Sequence, residues 1–155
     1  YISIHGRLDK VVYYKNEMEE QEPFEANWDD IDLSSDPSDE ILKQKLLEKF
    51  KINYVNDRFI PQKGVSLKPY VLLFDEIYTD LYRISEAEDW MNKAQKIIFI
   101  GTSFSVNITS IALRIAISRG IKIDIVDPNP IKISYDKVNY HQMNAEEYSN
   151  FRNLN

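Results

Sequence analysis

An apolar run, KIIFI (Lys96–Ile100), is followed by the polar loop GTSFS, a helical pattern and a second apolar run. A strand that is apolar without alternation is the kind expected in a parallel sheet covered by helices on both faces. Ile108, Ile111, Ala112, Ile115 and Ala116 then recur at helical spacing, and Gly120 supplies a left-handed stop. IKIDIVD (Ile121–Asp127) is the next strand, and a strand–helix–strand unit of this size implies a right-handed parallel crossover. Upstream, YISI (Tyr1–Ile4), KVVYY (Lys10–Tyr14) and the apolar end of KPYVLLF (Val71–Phe74) read as strands. Ile41, Leu42, Leu46, Leu47 and Phe50 share a face, which predicts a helix over 37–50 with Asp36 as its cap and Pro37 in its first position. Ser85 and Glu88 form a capping box that opens a helix over 85–95, and NAEEYSNF predicts a last short helix.

Charge changes this picture in one region. Between Glu17 and Glu40 the chain carries eleven Asp or Glu and no Lys or Arg, so 17–40 reads as a solvated acidic loop without the periodicity of a calcium loop. The fold expected is α/β: a parallel, Rossmann-like sheet with helices on both faces from 1–9 and 67–155, and a small inserted subdomain over 10–66. With 155 residues, 43% of them hydrophobic, the chain can bury a core. A net charge of −6 argues against passive binding to nucleic acid or anionic membrane. No apolar run reaches the roughly 20 residues of a membrane span. No cysteine is present, which removes disulfides and any Cys-based zinc site, so the subdomain is expected to hold no metal and the protein to be cytoplasmic. The chain starts at Tyr1, without Met, in a strand-like run, and is expected to be a portion of something longer.

In an open parallel sheet, ligands bind beyond the carboxyl ends of the strands. Gly101-Thr102-Ser103 stands at such an end, where glycine admits close approach and the hydroxyls can meet phosphate or ribose. The same tripeptide also suits a polar turn that caps a helix, and its single glycine is not the usual dinucleotide fingerprint. Asp127 ends the next strand and can accept hydrogen bonds from ribose hydroxyls. His5, after an apolar run and before Gly6, suits a general base near neutral pH, or simply a packed histidine. His141 lies in a polar segment with no evident partner, and Glu76 reads as a strand-end carboxylate.

Four blocks in this order, IHG, LKPYVLLFDE, IGTSFSV and IVDPNP, resemble the successive blocks of the sirtuins, the NAD-dependent protein deacylases. The resemblance runs over about residues 1–150, has little support between 15 and 65, and covers only the C-terminal portion of a sirtuin. It implies NAD as cofactor and an acylated-lysine protein or peptide as substrate. It implies His5 as the catalytic base that deprotonates a ribose hydroxyl, with Gly101, Thr102, Ser103, Asp127, Asn129 and Asn144 around the cofactor. Leu72 and Phe74 would line the acyl-lysine tunnel. The segments Phe74-Asp75-Glu76 and Val106 would flank a substrate peptide that adds as a strand.

The departures from the family pattern are specific. Its two zinc-binding Cys pairs have no counterpart, which implies a zinc-free, bacterial-type variant whose small domain packs through the 37–50 helix and Tyr13, Phe24 and Trp28. Asp75 replaces the glycine of Phe-Gly-Glu, Asp127 stands where Asn is frequent, and Asn129 replaces a frequent Glu. The family's Gly-Ala-Gly loop and nicotinamide pocket are absent from these residues, so turnover by the 155 residues alone is expected to be slight. Two other readings use the same residues: an NAD hydrolase or ADP-ribosyl transferase on this scaffold, and a non-catalytic NAD-sensing module.

Overall fold

The structure is a computed structural model that describes residues 1–16, 19–32, 34, 36, 38–73 and 76–153, with no side-chain description at 153. In chain order the elements are β1 (Gly6–Tyr13), β2 (Phe24–Glu25), α1 (Glu40–Phe50), β3 (Asn53–Val55), β4 (Arg58–Ile60), β5 (Leu67–Val71), a 3-10 turn (Asp80–Tyr82), α2 (Ile84–Lys93), β6 (Lys96–Ile100), α3 (Asn107–Ser118), β7 (Lys122–Val126), β8 (Val138–His141) and α4 (Ala145–Asn153). They fall into two compact units, Tyr1–Ser85 and Glu86–Asn155. No described helix is long and apolar enough to cross a membrane.

The first unit is built on an antiparallel sheet in the order β2-β1-β5. Gly6 pairs with Val71 and Arg7 with Tyr70; the register then shifts, and pairing resumes at Val11 with Pro69. The bulged carbonyls are not left bare: Trp28 Nε1 donates to Leu8 O at 3.0 Å and Ala26 N to Asp9 O at 2.8 Å. Val12 is fully buried among Tyr70, Tyr82, Leu72 and Leu81, with the Tyr70 and Tyr82 rings stacked 5.2 Å apart. Ser66, also fully buried, donates to Lys51 O and accepts from Gln62 N, tying α1's C-terminal end to the start of β5.

Several boundaries differ from the sequence reading, each for a local reason. Tyr1–His5 carries no strand, because Gly6 at φ 81° closes a turn in which its N–H reaches Ser3 O at 2.8 Å. A single strand, β1, replaces the two expected runs. The Val71–Phe74 run is a strand only up to Val71, since its partner ends at Gly6; Phe74 and Asp75 lie outside the described residues. α1 begins at Glu40, with Asp39 as the cap that accepts from Ile41 N and Leu42 N. Asp36 instead accepts from the N–H and hydroxyl of Ser38. Two cap-type residues three positions apart left that choice open to sequence, and Pro37 is outside the described residues. The acidic segment is only partly loop: it contributes β2, buried Ile31 and Trp28, whose ring lies 5.8 Å from Phe50, and Lys49 neutralises Asp30 at 2.7 Å. The Tyr13 and Phe24 rings lie 5.3 Å apart, and both remain exposed.

The second unit is a three-stranded parallel sheet in the order β6-β7-β8. Ile123 and Ile125 of β7 and Phe99 of β6 pack on Ala112 and Ala116 of α3, so the expected helix face is the buried one. Gly120 at φ 65° ends α3 as expected: its N–H bonds Ile117 O, and Ile121 N bonds Ala116 O. Arg119 Nη1 donates to Met91 O and Ala94 O, the exposed carbonyls at the end of α2. α2 starts at Ile84, and Ser85 sits inside its first turn with its N–H on Asp80 Oδ1 rather than acting as the cap. The chain is thus mixed α/β, with a three-stranded parallel sheet in its second unit.

Gly6 is the sharpest steric test of the first unit. A Cβ there would stand 2.0 Å from Tyr70 O and 2.7 Å from its carbonyl carbon, at a φ that side chains rarely adopt. Gly6→Ala is therefore expected to cost at least about 2 kcal/mol, read as a lower denaturant midpoint. An unchanged midpoint would show that β1 does not approach β5 this closely.

Candidate functional site

The sequence-predicted residues fall into two groups, one in each unit. In the first unit, the backbone of His5 is fixed by Leu72 N, which donates to His5 O at 3.0 Å, and by the Gly6 turn that follows. Its ring is exposed, and its Nε2 lies 2.9 Å from Tyr78 Oη. Leu72 packs against the Val12, Tyr70 and Tyr82 core. Glu76 is engaged by Lys68 in an ion pair and also accepts from Leu73 N at 3.0 Å and Tyr82 Oη at 3.4 Å. Burial alone would raise its carboxyl, but the Lys68 and Leu73 hydrogen bonds outweigh that and hold it below the usual range.

In the second unit, the loop after β6 is held against the end of β7: Gly101 N donates to Val126 O at 3.0 Å, one residue before Asp127. Phe104 adopts φ 58°, an unusual conformation for a phenyl-bearing residue, and its ring packs 4.8 Å from Phe99. That anchor leaves Gly101, Ser103 and Val106 exposed. Thr102 Oγ1 accepts from Phe104 N at 3.1 Å, and Ser103 and Ser105 share a hydroxyl–hydroxyl bond of 2.7 Å. A Cβ at Gly101 would have nothing within 4 Å, so the space over this backbone is open to a ligand. Asp127 accepts from Asn129 N at 2.7 Å, and its own N–H bonds His141 O. Small hydroxyl-bearing side chains, open backbone and a carboxylate at adjacent parallel strand ends fit the adenosine-ribose side of NAD. Asn144 caps α4 reciprocally, with Glu147 N on its Oδ1 and its own N–H on Glu147 Oε2. Among the described residues, no group of three or more His, Asp or Glu is placed to hold a metal ion.

Sequence reasoning missed Tyr78, and it missed a buried charge cluster in the middle of the sheet. Asp124, with a side chain 2% exposed, accepts from Lys96 Nζ at 2.6 Å, Tyr148 Oη at 2.9 Å and Asn139 Nδ2 at 3.1 Å. His141 Nε2 lies 3.5 Å from the same carboxylate, and its ring is tilted against those of Tyr148 and Phe151. The signal was an aspartate at the centre of an otherwise apolar strand, IKIDIVD. Burial pushes Asp124 up, while Lys96, Asn139 and Tyr148 hold it below the usual carboxylate range. Tyr148 is raised, by burial first and then by its bond to that carboxylate.

With these features placed, the fold matches that of the sirtuins. A structure solved for the mechanism and regulation of Sir2 enzymes matches over 99% of this chain and 55% of its own, with TM-score 0.56 and 18% identity. Sir2 bound to acetylated peptide matches over 97% and 53%, with TM-score 0.58 and 16% identity. The Sir2–p53 peptide–NAD+ complex does so over 97% and 52%, with TM-score 0.56 and 17% identity. At this identity the likeness is one of fold. In sequence, the NAD-dependent deacetylase sir2E of Dictyostelium discoideum is 49% identical over 51 residues, 32% of this chain and 15% of that protein. No family model matches the chain. The protein therefore has a Sir2-like fold and partial homology to a sirtuin deacetylase, and it spans about half the length of the solved structures it matches.

The Asp124 cluster yields a stability test. Because its folded carboxyl is held low, its contribution is complete above about pH 4 and is lost as pH falls through the folded value. Asp124→Ala, which strands Lys96, is expected to cost about 3 kcal/mol. Asp124→Asn should flatten the acid limb of the stability–pH curve measured by urea unfolding. An acid limb identical to that of the wild type would exclude the buried carboxylate as its source.

Proposed function

We propose that this chain is part of a sirtuin-like, NAD-dependent protein-lysine deacylase. The observation that carries the reading is the open Gly101–Ser105 loop at the carboxyl end of β6, hydrogen-bonded to the end of β7 beside Asp127. The partial homology to an NAD-dependent deacetylase supports the same reading. When bound, NAD supplies the nicotinamide–ribose bond that is cleaved and the ribose that receives the acyl group.

The chain's own residues would then divide the work. Gly101 presents backbone to a ribose or phosphate oxygen, while Thr102 and Ser103 present hydroxyls. Asp127 accepts hydrogen bonds from the adenosine ribose, with Asn129 beside it. Asn144, whose carbonyl oxygen caps α4, offers its amide group to the adenine. His5 accepts the proton of a ribose hydroxyl at a ring nitrogen. Leu72 and Phe74 line the acyl-lysine channel, and Asp75, Glu76 and Val106 flank a peptide added as a strand. The remaining parts of the proposal are a zinc-free small subdomain inserted at 10–66 and a cytoplasmic setting, both suggested by the absence of cysteine, together with helices on both faces of the parallel sheet.

The test is mass spectrometry of the full-length protein with NAD and an acetyl-lysine peptide. Nicotinamide, deacetylated peptide and O-acetyl-ADP-ribose are expected together, with His5→Ala lowering the rate at least about 100-fold. Asp127→Ala should weaken NAD binding about tenfold, close to the value of one hydrogen bond to a charged group. ADP-ribose formed without peptide would replace the reading with NAD hydrolysis. Tight NAD binding with no turnover, indifferent to His5→Ala, would replace it with an NAD-sensing role.

A further inference from the structure

In the first unit the His5 ring is exposed, yet it is not left to wander. Its backbone is clamped on both sides, by Leu72 N on the His5 carbonyl and by the Gly6 turn pressed against Tyr70. The ring itself is met at Nε2 by the hydroxyl of Tyr78, 2.9 Å away, with ring centroids 5.8 Å apart and planes tilted by 59°. Tyr78 lies 73 residues further on, two residues beyond the Lys68–Glu76 ion pair and just ahead of the 3-10 turn Asp80–Tyr82. Both neighbours fix it. Glu76 is tied to β5 through Lys68 and to Leu73 N, and Tyr82 N bonds Thr79 O at 2.9 Å. The hydroxyl that meets His5 is therefore carried on a braced segment.

We propose that Tyr78 is a positioning residue for His5, holding the imidazole in the orientation from which it takes a proton. The inference rests on the reading of His5 as the base. A phenol oxygen suits the task because it accepts from Nε2–H in both the neutral and the protonated ring, so the contact survives in both states and leaves the other ring nitrogen bare to take the proton. A surface imidazole without such a partner populates several rotamers, and only the fraction in the productive one can react. No proton leaves Tyr78 in the net reaction; the proton accepted by His5 comes from the ribose hydroxyl.

The experiment uses the full-length protein and Tyr78→Phe, which keeps the ring and deletes the hydroxyl. Turnover (kcat) is expected to fall about tenfold, with KM for NAD within about twofold, because orientation of the base is lost while cofactor contacts remain. Independently of turnover, the 15N resonance of His5 Nε2 in the protein without substrate is expected to move on removal of the hydroxyl. Should the Phe variant not fold, 3-fluorotyrosine at 78 keeps ring and hydroxyl, and the same resonance is expected to shift at an unchanged unfolding midpoint. An active wild type whose kcat is unaltered by Tyr78→Phe overturns the positioning role and leaves His5 as base untouched. An unmoved Nε2 resonance overturns it too. A wild type without NAD-dependent turnover overturns the base reading and the positioning role with it, and the resonance shift then records only the contact.

Discussion

A carboxylate in the middle of a parallel strand must find several partners at once, and the second unit is arranged around that demand. Asp124 is almost fully enclosed, and an unmatched charge there would cost more than the strand's apolar contacts return. Lys96 from β6, Asn139 from β8 and Tyr148 from α4 all reach it. Each comes from a different element, so satisfying one charge fixes the lateral register of three strands and the docking of the last helix. An apolar residue at 124 would bind the same elements without saying where along the sheet they belong. The consequence reaches the strand ends. With β6 and β7 in register from Lys96 opposite Lys122 to Ile100 opposite Val126, the loop that begins at Gly101 must leave the sheet beside Asp127.

The same cluster explains what was hidden in the sequence. The β6–α3–β7 unit was legible because its burial is apolar: KIIFI, the Ile/Ala stripe and IKIDIVD each carry the period of the element they form. β8 was not. Val138 and Tyr140 alternate with Asn139 and His141, and two polar residues in four look like a solvated segment. Asn139 is polar because its neighbour across the ladder is Asp124 rather than Ile, and His141, opposite Val126, still brings Nε2 to 3.5 Å from the same carboxylate. Tertiary chemistry had overridden the hydrophobic signal. KIIFI misled in the opposite sense. Ile98 and Ile100 remain 36% and 51% exposed while Phe99 between them is buried, so among the described residues one face of β6 is left open. Hairpin β3–β4 escaped for a third reason: its turn residues Asn56 and Asp57 take positive φ without any glycine to announce it.

Of the candidate site, the residues marked by their position were readable and those marked only by a partner were not. Gly101, Ser103 and Asp127 could be placed from strand ends alone, because the carboxyl edge of a parallel sheet is fixed by the order of its elements. His5 could be placed by its glycine, whose conformation the close approach of Tyr70 now explains. Tyr78 could not. Nothing in FDEIYTD distinguishes a tyrosine that meets a histidine 73 positions away from one that packs on its neighbours. The distinction lies in the β1–β5 register, which returns residue 5 alongside residue 72 and so within reach of the segment after it.

A loop with one glycine can still be held in a fixed shape, and Phe104 shows how. In a glycine-rich loop, freedom of the backbone brings its amides close to phosphate at no steric cost. Here two positive-φ residues, Gly101 and Phe104, bracket Thr102-Ser103, and the second of them carries a side chain driven into the core against Phe99. The strain at Phe104 is offset by burial of its ring. The loop is thereby pinned from beneath, with Ser103, Ser105 and the open face of Gly101 exposed. Such a loop is shaped before any ligand arrives, and it offers hydroxyls where a triple-glycine loop offers amides. That difference suits contact with ribose oxygens better than a cradle for pyrophosphate, which is the contact the proposed function asks of this loop.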